Sequence, residues 1–336
     1  MAGDALLYER DREGAVRCAL CAHRCRIEPG GRGLCGVREN RAGALVSLVS
    51  RTVIAAQCDP VEKKPLFHFL PGSRAYSIAA VGCNFRCSFC QNHEISQLPA
   101  EEGCIAGREL EPAAIVEMAR ESCAQSIAYT YTEPTVFFEL AYETAGIARS
   151  RGLRNVLVTN GYMTREMLRL MADRLDAVNV DLKAFRDDFY RRYCGARLQP
   201  VLDGLRTMKE LGIWVEVTTL LIPGLNDGDE ELRGLAGFVR SLGAETPWHI
   251  SRFHPRYRLT DRPPTPAASI CRAAGIGKAA GLNYVYSGNI PGDSGGNTAC
   301  VRCGRLLIGR SGFAVDRMDL AGSACPGCGT PLAGIF

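Results

Sequence analysis

The chain has no charge excess of either sign. Its 40 Lys and Arg residues are nearly balanced by 36 Asp and Glu, leaving a formal charge of +4 over 336 residues, with the signs interspersed. Without a basic stripe there is no electrostatic footprint for nucleic acid, so binding of that kind is not expected. Nor is there any run approaching the roughly 20 apolar residues that span a bilayer. The opening MAGDALLYERDREGAVR alternates charges where a secretory signal would place an apolar core. No membrane association is expected, and a cytoplasmic location is. The 46% of residues that are hydrophobic suffice for one large α/β domain with small appendages, or for two ordinary domains.

Cysteine, by contrast, is plentiful. Sixteen thiols in a long chain without an export signal point to metal or redox chemistry rather than disulfides. Eleven of them form three groups. Cys18, Cys21, Cys25 and Cys35 lie in CALCAHRCRIEPGGRGLC, with His23 as a possible substitute ligand. Cys83, Cys87 and Cys90 lie in GCNFRCSFCQN. Cys300, Cys303, Cys325 and Cys328 form CVRC and CPGC. The last group has the form of two zinc knuckles, each offering two thiolates through a tight turn. The first group also supplies four ligands; zinc is the preferred occupant and a second iron–sulfur cluster the rival. GRGLCG within it fits GxGxxG, but no βαβ context surrounds it, so a dinucleotide site is rejected. The middle group has no fourth cysteine nearby. Three thiolates on a 4Fe–4S cubane leave one iron open to a small molecule, whereas His93 would be needed to close a zinc site. Cys58, Cys104, Cys123, Cys194 and Cys271 stand alone and read as small core residues.

From Ala75 to Gly288, β-like runs alternate with amphipathic helical patterns. AYSIAAV, SIAYTY, NVLVTN, AVNVDL, WVEVTTL and WHISRF are the strands, with NYVYS a possible seventh. EPAAIVEMARES, PTVFFELAYETAGIARSR, TREMLRLMADRL, QPVLDGLRTMKEL and DEELRGLAGFVRSL are the helices. Pro112 and Pro134 suit first-turn positions and Thr164 an N-cap. Strand and helix repeated six times predict an α/β fold, a partial (β/α)6 TIM-like barrel, whose reactive groups gather at the carboxyl ends of the strands. The cysteine loop follows the first strand, TEP (Thr132 to Pro134) the second, TNG (Thr159 to Gly161) the third and DLK (Asp181 to Lys183) the fourth. Thr218 and Thr219 lie late in the fifth, and His254 follows the sixth.

With these residues assembled, the chain resembles the radical S-adenosylmethionine (SAM) enzymes. The CxxxCxxC of Cys83, Cys87 and Cys90 matches that superfamily's signature, and the resemblance covers roughly Ala75 to Gly288. It is similar to the pyruvate formate-lyase activating enzymes. DPVEKKPLFHFLPG, YTYTEPTVFFE and the N-terminal cysteines resemble more narrowly the radical SAM enzymes of the AmmeMemoRadiSam system. The resemblance implies a 4Fe–4S cluster on Cys83, Cys87 and Cys90 whose open iron binds SAM. It places Phe89 near the adenine, Glu133 on the methionine amino group, Asp181 and Lys183 on the methionyl part and His254 near the ribose, with Asn160 also among the cofactor-binding residues. Tyr131 and Thr132 stand where the family's GGEP motif has two glycines. Val158 stands where the activating enzymes have a cation-binding aspartate, so no such cation site is expected.

The implied activity is reductive cleavage of SAM to a 5′-deoxyadenosyl radical that abstracts hydrogen from an unidentified substrate. An external one-electron reductant of flavodoxin or ferredoxin type is required, and AMMECR1-like and Memo-like proteins are candidate partners. Two alternatives stand beside it: activation of a glycyl radical enzyme, and a non-catalytic zinc and iron–sulfur scaffold or electron carrier. The expected organisation is a Cys-rich segment over residues 1–70, the core barrel over 71–290 and a zinc-ribbon-like segment over 291–336, joined through the flexible PGDSGGN. The segment EKKPLFHF, with Lys63, Lys64 and His68, either borders a substrate entrance or packs as a basic loop against the barrel.

Overall fold

In the computed structural model, described for residues 2–288, 290 and 294–336, the centre is an eight-stranded sheet. Its strands are β1 (Ala55–Pro60), β2 (Arg74–Ala79), β3 (Ser126–Tyr129), β4 (Arg154–Thr159), β5 (Ala177–Asp181), β6 (Trp214–Leu221), β7 (Trp248–Arg252) and β8 (Val285–Gly288). They lie side by side in chain order. β2 to β8 are all parallel, and β1 pairs antiparallel with β2 at one edge. The seventh parallel strand is therefore formed, and β1 is an addition to the expected set. These strands read as apolar runs rather than alternating ones because both faces are covered, as parallel sheets require. From Ala75 to Ala79, every residue of β2 is buried.

The crossovers carry helices α1 (Pro112–Glu121), α2 (Phe138–Ser150), α3 (Arg165–Met171), α4 (Leu198–Glu210), α5 (Asp229–Ser241) and α6 (Ala267–Ala279). α4 buries Leu198, Val201, Leu202, Leu205 and Met208, a stripe at the helical period. α5 opens on Asp229, Glu230 and Glu231, which suit the positive end of its dipole. The Thr164 hydroxyl caps α3 by accepting the Met167 N–H at 3.2 Å. α6 is absent from the expected helices. Its sequence AASICRAAGIGKA buries Ile270, Ala273 and Gly277, and a side chain at Gly277 would meet the Trp248 ring at 2.9 Å. It packs by closeness rather than by a stripe of large apolar groups.

Residues 61–70 fill the end of the barrel where the strands begin. Val61, Leu66 and Phe69 pack with Ala75, Ala128, Val156 and Ala177 in one apolar cluster. Lys64 is buried and ion-paired to Asp59 at 2.6 Å, and His68 is fully buried between Tyr286 Oη and Ala333 O, each at 2.6 Å. Of the two readings of EKKPLFHF, packing against the barrel is the one the fold shows. The C-terminal strands Thr298–Ala299, Leu306–Ser311 and Ala314–Met318 form an antiparallel sheet that docks on this plug. Phe67, Tyr284 and Tyr286 pack with Leu307, Ile308 and Leu332, and Arg310 donates to Phe67 O at 2.7 Å. Pro291–Asp293 of the expected linker lie outside the described residues.

Candidate active site

The cysteine loop leaves β2 at the opposite end, where the strands finish. Its first turn is made at Gly82, whose φ of +102° favours glycine. A side chain there would meet Val37 Cγ1 at 2.8 Å and Cys35 O at 3.1 Å, so the loop lies directly against the N-terminal cysteine segment. The loop's backbone is fixed by bonds from Arg86 N to Cys194 O (2.8 Å), Ser88 N to Tyr193 O (2.9 Å) and Arg258 N to Ser88 O (2.9 Å). The Cys83 sulfur accepts the Phe85 N–H at 3.3 Å, and Cys90 Sγ lies 3.3 Å from Ser96 Oγ.

Glu133, only 2% exposed, ties the ends of β3 and β4 together. Its Oε1 accepts from Thr135 N (3.1 Å), Thr135 Oγ1 (2.5 Å) and Thr159 Oγ1 (2.7 Å), and its Oε2 from Asn160 N (2.8 Å). Burial pushes the Glu133 carboxyl up from its ordinary value, and these four donors pull it back only in part. Asn160 Nδ2 donates to Asn84 Oδ1 at 2.7 Å and lies 3.9 Å from Cys83 Sγ. On the neighbouring strand end, Lys183 Nζ pairs with Asp181 at 2.9 Å and lies 5.9 Å above the Phe89 ring. Burial works against the Lys183 charge, but Asp181 and the Cys87 and Cys194 sulfurs outweigh it and hold the ammonium protonated.

Phe89, Glu133, Asn160, Asp181 and Lys183 thus gather around the three thiols. His254 follows β7 at the same rim and is exposed. Thr218 and Thr219 do not join the site: their hydroxyls bond Asn179 Oδ1 and Leu182 O inside the barrel wall. His93 stacks on Tyr257, with ring centroids 4.4 Å apart, and does not close a four-ligand ion site with the thiols.

The glycine pair missing before Glu133 is compensated locally. Tyr131 itself takes the left-handed conformation, at φ +64°, a strain of roughly 1–2 kcal/mol for a residue with a Cβ. Asn92 Nδ2 donates to its carbonyl at 2.7 Å, and its phenol donates to Asp59. Thr132 Oγ1 donates to Ala80 O at 2.7 Å. The loop keeps the glycine-like path while presenting an aromatic side chain.

Sequence gave no sign of one further residue. Cys194 is fully buried and lowers the pKa of the Cys87 thiol from its ordinary value, from a turn with no motif around it. Of the other single cysteines, Cys104, Cys123 and Cys271 are exposed rather than in the core, because they lie on loops and outer helix faces; Cys58 is half-buried.

The two terminal quartets differ in geometry. Cys300, Cys303, Cys325 and Cys328 bring their sulfurs within 4.8 Å of one another, with Cys300 and Cys328 at 3.5 Å and Cys303 and Cys325 at 3.6 Å. A single tetrahedral ion with metal–sulfur bonds of about 2.3 Å asks for sulfurs about 3.8 Å apart. Among the described residues no other group of three or more Cys, His, Asp or Glu is this tight. Cys18, Cys21, Cys25 and Cys35 instead line one cavity; His23 lines it too, with its Nε2 engaged 2.8 Å from Asn84 O. The site trio is likewise wider than one ion needs, and three thiols at the open end of the barrel fit a cubane with a free corner.

A family model described as the radical SAM superfamily matches residues 77–236. The uncharacterized protein MJ0808 of Methanocaldococcus jannaschii is 46% identical over 98% of both chains. The chain belongs to the radical SAM superfamily. It is an enzyme of that superfamily, which sets aside the non-catalytic scaffold. Pyruvate formate-lyase-activating enzyme of Clostridium pasteurianum is 21% identical over 48% of this chain and 67% of its own. The structure of Streptococcus suis SuiB bound to S-adenosylmethionine shares the fold at a TM-score of 0.51 and 13% identity, covering 68% of this chain and 53% of that one. As a member of this superfamily the chain uses SAM and a 4Fe–4S cluster and depends on a reductant. Among the described residues no helix is long and apolar enough to cross a membrane.

Proposed function

We propose that this radical SAM enzyme carries its cluster on Cys83, Cys87 and Cys90 and abstracts hydrogen from its substrate at the rim where β2 to β5 end. The observation that carries the reading is the convergence of the cysteine trio with Glu133, Asn160, Asp181, Lys183 and Phe89 from four strand ends. When bound, cluster and SAM supply the 5′-deoxyadenosyl radical. The residues of this chain bind and orient the cofactor. Glu133, held by four donors, has lone-pair capacity left on Oε2 for the methionine ammonium. The Lys183 ammonium, held in place by Asp181, would bind the methionyl part of SAM. Phe89 offers its ring to the adenine, and His254, exposed at the rim, is free to meet the ribose. The buried apolar wall of Phe85, Phe89 and Phe189 excludes water from the reacting centre.

The enzyme is of AmmeMemoRadiSam type, with AMMECR1-like and Memo-like proteins as partners and a flavodoxin or ferredoxin as electron donor. Its C-terminal quartet holds zinc, and it works in the cytoplasm. A second reading, activation of a glycyl radical enzyme, is favoured by the likeness to an activating enzyme over about half of the chain. The test is anaerobic incubation of the cluster-loaded protein with SAM and dithionite. 5′-Deoxyadenosine and methionine should appear, and Cys87→Ala should abolish both. Their absence from a fully loaded protein would refute the proposal. A doublet radical signal on a captured partner enzyme would decide for the second reading.

A further inference from the structure

The N-terminal quartet is not used by the chemistry above, yet it is built into the same rim. Cys18, Cys21, Cys25 and Cys35 surround one internal cavity, closed elsewhere by apolar side chains such as Leu20, Ile27 and Val136. None of the four is in a disulfide. Their sulfurs are not drawn together as those of the C-terminal quartet are; in this they match the Cys83, Cys87 and Cys90 trio. One ion holds four sulfurs at the edges of a small tetrahedron, whereas a cubane puts an iron under each thiolate and spreads the four apart.

A second observation points into the same cavity. Arg38, 3% exposed, lines it. Its Nη2 bonds both oxygens of Glu139, at 2.7 and 2.6 Å, but Nε and Nη1 are buried with no partner. Two donor nitrogens left unmet on a buried cation are costly unless a buried acceptor faces them. The sulfides and thiolates of an iron–sulfur cluster are acceptors of that kind, and the cluster's net negative charge answers the guanidinium.

We propose that Cys18, Cys21, Cys25 and Cys35 hold a second 4Fe–4S cluster, closed by protein at all four corners, in the cavity they share with Arg38. Asn84 lines this cavity and directly follows the site cysteine Cys83, so the two clusters occupy adjoining compartments. With no open iron, the second cluster does not bind SAM. The proposal goes beyond the SAM chemistry and stands or falls separately from it.

The experiment is anaerobic reconstitution of the full chain carrying Cys83→Ala, Cys87→Ala and Cys90→Ala together, with iron and sulfide. The expected result is about four iron and four sulfide per chain, with a dithionite-reduced paramagnetic signal that SAM does not alter. Adding Cys21→Ser and Cys35→Ser should remove the iron. A second zinc beside that of the C-terminal quartet, or no iron in the folded triple variant, would overturn the proposal. If the triple variant does not fold, the unmodified chain decides. About eight iron and two reduced signals, one of them insensitive to SAM, support the second cluster; about four iron and one SAM-sensitive signal refute it. SAM cleavage with only four iron sinks this proposal alone, and eight iron without SAM cleavage sinks only the functional reading.

Discussion

Cys194 is buried, lowers the pKa of the thiol of Cys87, the proposed cluster ligand, and belongs to no motif. On an iron-bound Cys87 thiolate, a thiol donating from Cys194 would stabilise the reduced state, as hydrogen bonds to cluster sulfurs do. Cys194→Ala should therefore lower the midpoint potential of the site cluster, read by redox titration of its paramagnetic signal, with iron content unchanged. Loss of iron instead would make Cys194 a ligand. The trio was legible because its spacing is local and its chemistry depends on that spacing. Cys194 was not, because its relation to Cys87 exists only once the turn after β5 folds back onto the loop. Tyr131 lies between these cases. Its place before Glu133 could be read, but its left-handed backbone and its bond to Asp59 are tertiary facts.

Among elements, the plug of residues 61–70 shows what the sequence left open. Its packing against the barrel was one of two readings, and burial of Glu62 and Lys64, the latter neutralised by Asp59, gives that packing its form. His68 links the plug to the C-terminal sheet, and burial pushes its pKa down from 6.5 to about 4. The folded state thus refuses a proton that the unfolded chain accepts below 6.5. Stability is unaffected above that value and falls as pH drops from 6.5 toward 4, with a limiting slope of about 1.4 kcal/mol per pH unit. Thermal melts between pH 7 and pH 5 should show this fall, and His68→Gln should flatten it while lowering the melting temperature at pH 7. Equal slopes in both proteins would remove His68 from the account. α6 went unread for a different reason: its buried face is made of small residues, which carry no amphipathic signal.

At the scale of the whole molecule, the strands separate two kinds of cysteine set. The wide cysteine sets occupy the end where the strands finish, and the tight C-terminal quartet docks where they begin. With zinc in the quartet as proposed, a chelator that strips it should expose the Phe67, Tyr284 and Tyr286 cluster, lower the melting temperature and leave SAM cleavage intact. Abolished cleavage with cluster iron retained would show that the ribbon acts on the site. The alternation of strand and helix made the barrel readable from sequence. The placement of both appendages was not, since it rests on long-range contacts such as Arg310 to Phe67 O and Arg38 to Glu139, which no local pattern records.

At Gly82 a bare backbone is wedged beneath Val37 and the Cys35 carbonyl, leaving no room for a methyl group. The two rim loops are interlocked like meshed gear teeth, and neither can be excised, transplanted or reshaped as an independent cassette without unseating the other.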